Sequence, residues 1–268
     1  MINNKEKLRE SINKEIQKIN KSEMKLQKSA AAETPKYKET LKSKIPPKIL
    51  TTLEKAFFKA FELIFEKGIG IIEKGYNKED IDQDFSIQDY AINLKCNRKE
   101  LKKLNKNAKK KNFKNLSVTA VEGVGLGALG IGLPDIVLFI GMVLKGIYEV
   151  SLHYGYNYDS DSEKYLIMKL MYASLYKGSD WDNENREIDR LLTSPALVDI
   201  DTVKMQTEET SKMLAMDMLV LKFIQGLPIV GIIGGAFNPV YYNKILNYVR
   251  LKYYKRYLLE KLQEIETQ

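Results

Sequence analysis

Residues 118–150 read VTAVEGVGLGALGIGLPDIVLFIGMVLKGIYEV. Gly123, Gly125, Gly127, Gly130 and Gly132 sit in an apolar run bracketed by Glu122 and Asp135. A glycine in a helix interior costs about 1 kcal/mol relative to alanine. A glycine-rich apolar helix therefore implies either close backbone packing or a lipid surround. A second stretch, residues 223–243, repeats the pattern: FIQGLPIVGIIGGAFNPVYYN has no charge and sets glycines around Pro228. Gly123/Gly127 and Gly231/Gly235 are GxxxG pairs, and Ala128/Gly132 is a small-xxx-small pair. Small residues four apart share one helix face, so the two segments are expected to pack on each other.

GxGxG also occurs in nucleotide-binding loops, but there it follows a strand in a βαβ unit. No strand pattern precedes it here and no P-loop lysine follows, which disfavours nucleotide binding. Residues 123–144 carry one charge, Asp135, and residues 223–243 carry none. Each approaches the roughly 20 residues that span a bilayer. Pro134, Pro228 and Pro239 interrupt them, and Asp135 is costly in lipid. Buried core helices are the preferred assignment; conditional membrane insertion is the alternative.

Working outward, apolar residues keep helical spacing nearly throughout, and no strand pattern competes. The fold class is all-α: a compact multi-helix domain with two Gly-rich apolar segments, preceded by an N-terminal amphipathic helix. Leu8, Ile12, Ile16, Ile19, Glu23 and Leu26 form a narrow stripe, read as a peripheral helix or short coiled-coil contact. Pro35, Pro46 and Pro47 mark a linker, giving an extension over 1–47 and a main domain over 48–268. A helix is expected from 48 to about 74. Residues 77–84, NKEDIDQD, read as a loop; they lack the glycine and terminal glutamate of a calcium loop. One helix is then expected over about 86–111, burying Ile87, Tyr90, Ala91, Leu94, Leu101, Leu104 and Ala108. Later helices are expected from a Ser160–Glu163 cap to about 176, over 181–193, over about 196–225, and from an Asn238-Pro239 cap to about 263.

Charge is uneven. Residues 1–115 carry 28 Lys and Arg against 16 Asp and Glu, a balance of +12; the remainder carries 15 against 19, a balance of −4. Ten of the basic residues fall between Lys95 and Lys114, with Glu100 the one acid among them. Lys102, Lys103, Lys109, Lys110 and Lys111 are the candidate anion- and membrane-binding residues, since a basic residue near anionic lipid gains about 1 kcal/mol. Nucleic acid is disfavoured, because the run offers only Arg98 and Phe113 for base contact or stacking.

Glu122, Asp135 and Asn238 are the polar exceptions within the apolar segments. Convergence of the two segments would bring them into one site, where carboxylates have raised pKa values or hold a cation. Helix capping is the simpler role. His153 is the single histidine, so any Ser-His or Cys-His mechanism must use it, and a His-rich zinc site is excluded by count. The one cysteine, Cys96, rules out an internal disulfide and is assigned a structural role. No cofactor or metal is expected. The charged start, MINNKEKLRE, has no signal-peptide core, which points to a cytoplasmic location.

EGVGLGALGIGLPDIVLFIGMVLKGIYEVSLHYGYN resembles the central signature of the EcsC family. The matching features are Glu122-Gly123, Asp135, Ile147 with Glu149, and Tyr154-Gly155. GLPIVGIIGGAFNPVYYNKIL is similar to the family's C-terminal signature through Pro228, Gly231 and Asn238. The resemblance spans about 48–265. It implies a helical fold, a bacterial setting and a vague accessory role beside an ABC transporter linked to secretion, with no assigned enzyme activity. The expected function is therefore non-enzymatic, in the cytosol or peripheral at the inner membrane face. Its expected partner is an anionic membrane surface or a membrane protein complex. The alternatives are a hydrolase using Glu122 and Asp135, or a membrane-inserting effector.

Overall fold

The computed structural model describes residues 4–32, 45–114, 134–178, 180–224 and 239–267, and those residues form helices without a strand. In chain order they are α1 (Asn4–Ala32), α2 (Pro47–Leu63), a π turn (Ile64–Gly68), α3 (Ile69–Glu73), α4 (Lys78–Lys95), α5 (Arg98–Lys114), α6 (Pro134–His153), α7 (Asp161–Leu175), α8 (Trp181–Thr193), α9 (Ile200–Ile224) and α10 (Pro239–Thr267). The all-α assignment holds.

Two helices organise the rest. Helix α6 packs against α2, α3, α4, α5 and α10; helix α10 packs against α1, α5, α6, α7 and α8. Helix α9 lies on α7 and α2. The composition of α6 explains its place. Ile136, Ile140, Val143, Leu144 and Ile147 are fully buried or nearly so, and its partners cover it on several sides. An all-round apolar helix belongs in such a centre. Its Ile136–His153 window is long and apolar enough to cross a membrane, yet 89% of that window is buried inside the fold. On α10 the helical spacing of Tyr242, Ile245, Leu246, Val249, Tyr253, Tyr257 and Leu258 sets the expected apolar stripe; all are buried but Tyr242, which is half-buried.

The GxxxG pairs at 123/127 and 231/235 lie outside the described residues. What is described is the contact between α6 and α10, the helices that follow the two segments. Gly146 lies in this contact, against Leu246 and Tyr242. A Cβ on Gly146 would come within 2.6 Å of Leu246 Cδ1 and 2.7 Å of Tyr242 Oη. Gly146→Val should overpack this contact and cost about 1–3 kcal/mol. An unchanged denaturant midpoint would show that the tips of Leu246 and Tyr242 move aside freely.

Helix α1 was expected to be a peripheral extension ending at a boundary near residue 47. In the structure Leu8, Ile12 and Ile19 join the common core, and α1 packs on α10, α5 and α8. Its polar positions on this face, Glu15 and Glu23, are buried too, for a reason given below.

The 77–111 region departs from expectation in three ways. Residues 78–84 are helix, not loop: Asn77 caps α4 by accepting from Asp80 N at 3.3 Å, and Glu79 and Asp80 favour the positive helix start. The expected single helix is two, because Cys96 takes a left-handed conformation with φ +48°. Its thiol donates to Asn93 O at 3.0 Å, and Asn97 caps α5 by accepting from the backbone N–H of Lys99 and Glu100. Lastly, Ile87, Tyr90 and Leu94, expected in the core, are 69%, 68% and 63% exposed, while Gln88 is buried. Gln88 can be inside because it donates to Glu100 O and Glu100 Oε2. The expected Leu101, Leu104 and Ala108 are buried.

Candidate anion-binding face and buried polar networks

The α4–α5 hairpin builds a surface of mixed character. Ile87, Tyr90 and Leu94 are spaced i, i+3, i+7, so they share one exposed strip of α4. This strip borders Ala91 and Lys95, the side of α4 on which Lys95 Nζ donates to Glu100 Oε1 of α5 at 3.1 Å. Lys99 and Lys103, on either side of Glu100 in the α5 sequence, have exposed side chains. Lys102, Lys106 and Lys109 are exposed further round α5. None of these five α5 lysines makes a salt bridge among the described residues. Of the candidate anion-binding residues, Lys102, Lys103 and Lys109 are exposed on α5. The backbone of Lys110 and Lys111 continues α5, but their side chains are not among those described.

The lysine side of α5 opens into a cleft of about 470 Å³ between α1, α5 and α10, into which Lys18, Lys102, Lys106, Lys109 and Arg250 face. Its one carboxylate, Glu15, is buried and already engaged: Arg98 Nε donates to it at 2.5 Å and the Tyr254 hydroxyl at 3.4 Å. A second cavity of about 520 Å³, lined in part by Lys25, Tyr176 and Trp181, shares Ser22, Asn247, Arg250 and Leu251 with the first. Arg250 is half-buried at the junction. Its guanidinium donates to Asn247 Oδ1 at 3.0 Å. Burial pulls its pKa below the ordinary value, and the neighbouring Tyr154 opposes that.

Elsewhere the interior is polar but closed. Lys252, fully buried on α10, donates to Glu23 of α1 at 2.5 Å and to Asp189 of α8 at 2.7 Å. Lys255 bonds the other oxygens of the same two carboxylates, each at 2.8 Å. Two cations and two anions thus satisfy one another, which is how charges are tolerated inside a fold. Nearby, Tyr248 donates to Asn185 at 2.9 Å. A second network joins α7 and α10: Arg256 donates to Glu163 at 2.9 Å and lies 4.0 Å over the Tyr156 ring, while Tyr253 donates to Glu163 at 2.5 Å. A third sets the Tyr158 hydroxyl 2.6 Å from both Glu73 and Tyr76, with Tyr148 stacked on Tyr158 at 4.0 Å. Burial, then the Glu73 hydrogen bond, pushes the Tyr158 pKa well up, so this phenol stays neutral and acts as a hydrogen-bond group.

The expected catalytic candidates fall outside the described side chains. Glu122 and Asn238 lie outside the described residues, and Asp135 begins α6 with its side chain outside them. His153 and Glu149 are buried in α6, the latter with Lys145 Nζ 3.8 Å away. Among the described residues no group of three or more His, Cys, Asp or Glu could hold a metal ion. The residues that sequence reasoning passed over are Lys18, Lys106 and Arg250. Arg250 carried a weak signal: it is the one arginine inside the apolar turn Tyr248–Leu251, where a charge needs a purpose.

A multi-helix fold with a basic cleft is a broad class, and comparison with known proteins narrows it. The EcsC protein family matches residues 10–258, so the chain belongs to that family. The match begins within α1, whereas the resemblance visible in the signatures spanned 48–265. No curated protein and no solved structure matches the chain.

Proposed function

We propose that this EcsC protein is a non-enzymatic docking protein that attaches peripherally to anionic membrane surfaces through the α4–α5 hairpin. The observation that carries this reading is the exposed Ile87/Tyr90/Leu94 strip on α4, in a hairpin whose other helix, α5, carries exposed lysines that make no salt bridge among the described residues. Apolar side chains that enter the headgroup boundary, flanked by lysines that meet lipid phosphates, are the ingredients of interfacial binding. The inner membrane face fits this role, as does the setting beside a transporter that the family resemblance implies. Insertion of α6 itself requires stripping a helix from the centre of the core, while the Gly-rich stretches at 123–133 and 225–238 lie outside the described residues. The residues of the hydrolase reading, Glu122 and Asp135, lie outside the described side chains.

Vesicle co-sedimentation tests the proposal. The protein should bind phosphatidylglycerol-containing vesicles and not phosphatidylcholine alone. Binding should weaken as salt shortens the screening length from about 8 Å toward about 3 Å. Replacing Lys102, Lys103 and Lys109 together by glutamine should weaken it roughly a hundredfold, at about 1 kcal/mol per lysine. Ile87→Asp with Leu94→Asp should abolish it without lowering stability, since both sites are exposed. Equal binding to neutral and anionic vesicles, or an unaffected strip variant, would refute the hairpin as the docking surface.

A further inference from the structure

We propose that the cleft between α1, α5 and α10 is a binding site for a phosphate ester, anchored by Arg250. This goes beyond attachment to a charged surface: it assigns a bounded site with a defined chemical preference. Four observations meet there. The cleft has a volume of about 470 Å³, within the range of small-ligand sites. Lys18, Lys102, Lys106 and Lys109 face it together with Arg250, from three different helices, so their convergence is a property of the fold rather than of one lysine run. Its single carboxylate is no counter-ion for them, because Arg98 already holds Glu15. Arg250 is half-buried with only the Asn247 carbonyl oxygen as acceptor among the described residues.

Such an arrangement costs stability. A guanidinium taken partly out of water without an anion is penalised by desolvation, which pulls the Arg250 pKa down. Other buried or half-buried cations have carboxylates: Lys252 and Lys255 share Glu23 and Asp189, and Arg256 has Glu163. Arg250 has none among the described residues. A phosphate supplies the missing anion, since its oxygens accept two parallel N–H bonds from a guanidinium while lysines serve as point charges around it. The adjoining 520 Å³ cavity, reached past Arg250 and lined in part by Tyr176 and Trp181, is placed to take the rest of the esterified molecule.

The phosphate could be carried by a lipid headgroup or by a soluble ester, and the test separates these sources. Full-length protein is titrated calorimetrically with inorganic pyrophosphate and with a short-chain phosphatidic acid kept below its micelle concentration, and melting is followed with each. Both probes should bind and raise the melting temperature. Arg250→Gln should weaken both at least tenfold, and Arg250→Lys should fall between, because it keeps the charge and loses the fork. Without ligand, Arg250→Gln should melt at the wild-type temperature or up to about 2–4 °C above it, as a residue relieved of an unpaired charge would. A merely structural arginine would instead lower it. Lys204→Gln, at an exposed position of α9 outside the cleft, should change nothing. Pyrophosphate binding without phosphatidic acid binding assigns a soluble ester; phosphatidic acid binding alone assigns the lipid. Absence of binding by both probes, or a folded Arg250→Gln variant with wild-type affinity, overturns the site. The Ile87→Asp/Leu94→Asp variant keeps the outcomes apart: loss of vesicle binding with pyrophosphate binding intact supports both proposals. Vesicle binding that survives Arg250→Gln, with no pyrophosphate binding, leaves only the hairpin.

Discussion

Lys252→Met is expected to destabilise the protein by about 3–5 kcal/mol, the cost of breaking a buried ion pair by removing one partner. The substitution leaves Glu23 and Asp189 facing one ammonium, that of Lys255, where two had held four oxygens. Glu23 is buried and cannot turn to water, so its unmatched charge stays in the core. The loss of the aliphatic stem is not at issue, since methionine replaces its volume. Pairing Lys252→Met with Glu23→Gln restores neutrality around Lys255 and Asp189 and should recover more than half of the loss. Urea denaturation of the two single variants and the double variant gives the coupling directly. A cost below about 1 kcal/mol for Lys252→Met would mean that the quartet is solvated and does not lock α1 and α8 to α10.

Gly155→Ala should cost about 2–5 kcal/mol through two separable effects. Gly155 has φ +82°, in the left-handed region where a Cβ costs roughly 1–2 kcal/mol. The same Cβ would lie within 2.5 Å of Phe85 Cζ, so the Phe85 ring must also move, adding about 1–3 kcal/mol of overpacking. Phe85 stacks edge-on against Tyr257 with centroids 6.1 Å apart, which limits where it can go. Combining Gly155→Ala with Phe85→Ala removes the collision and keeps the backbone strain. The double variant should therefore be more stable than additivity of the singles requires. Strict additivity would show that only the backbone conformation demands glycine here. The Tyr154-Gly155 pair of the family signature thus has a physical meaning: the tyrosine fills the core beside Tyr254 and the glycine turns the chain under Phe85.

Much of this was legible from residue order. The Ser160 cap is present, with its hydroxyl accepting from Glu163 N at 3.2 Å, and α8 and the buried stripe of α10 fall where periodicity put them. The failures have identifiable causes. Cys96 breaks a helix without glycine or proline, so the usual stop signal was missing; yet Asn97 with Glu100 three residues later has the form of a helix start and could have revealed it. Reading through that break as one helix led to Ile87, Tyr90 and Leu94 being counted as core. The burial of Gln88 and Glu100 could not be seen, because each is tolerated inside only through the other. Likewise Glu23 looked like a flaw in the α1 stripe until its two lysines, 229 and 232 residues away, were in place. The cleft has the same character: the lysine run was visible, but its convergence with Lys18 and Arg250 depends on the packing of α1 and α10 against α5.

The position of α6 has a consequence for how the protein is made. Its cover comes from both directions along the chain, and one of its principal partners, α10, begins 86 residues after α6 ends. At ribosomal speeds of about 5–20 residues per second, α6 waits on the order of 10 s for that partner. During that interval the growing polypeptide presents a helix with the length and hydropathy of a membrane span. A factor that sorts nascent chains by hydrophobicity would meet it in this state, before α10 is made to cover it.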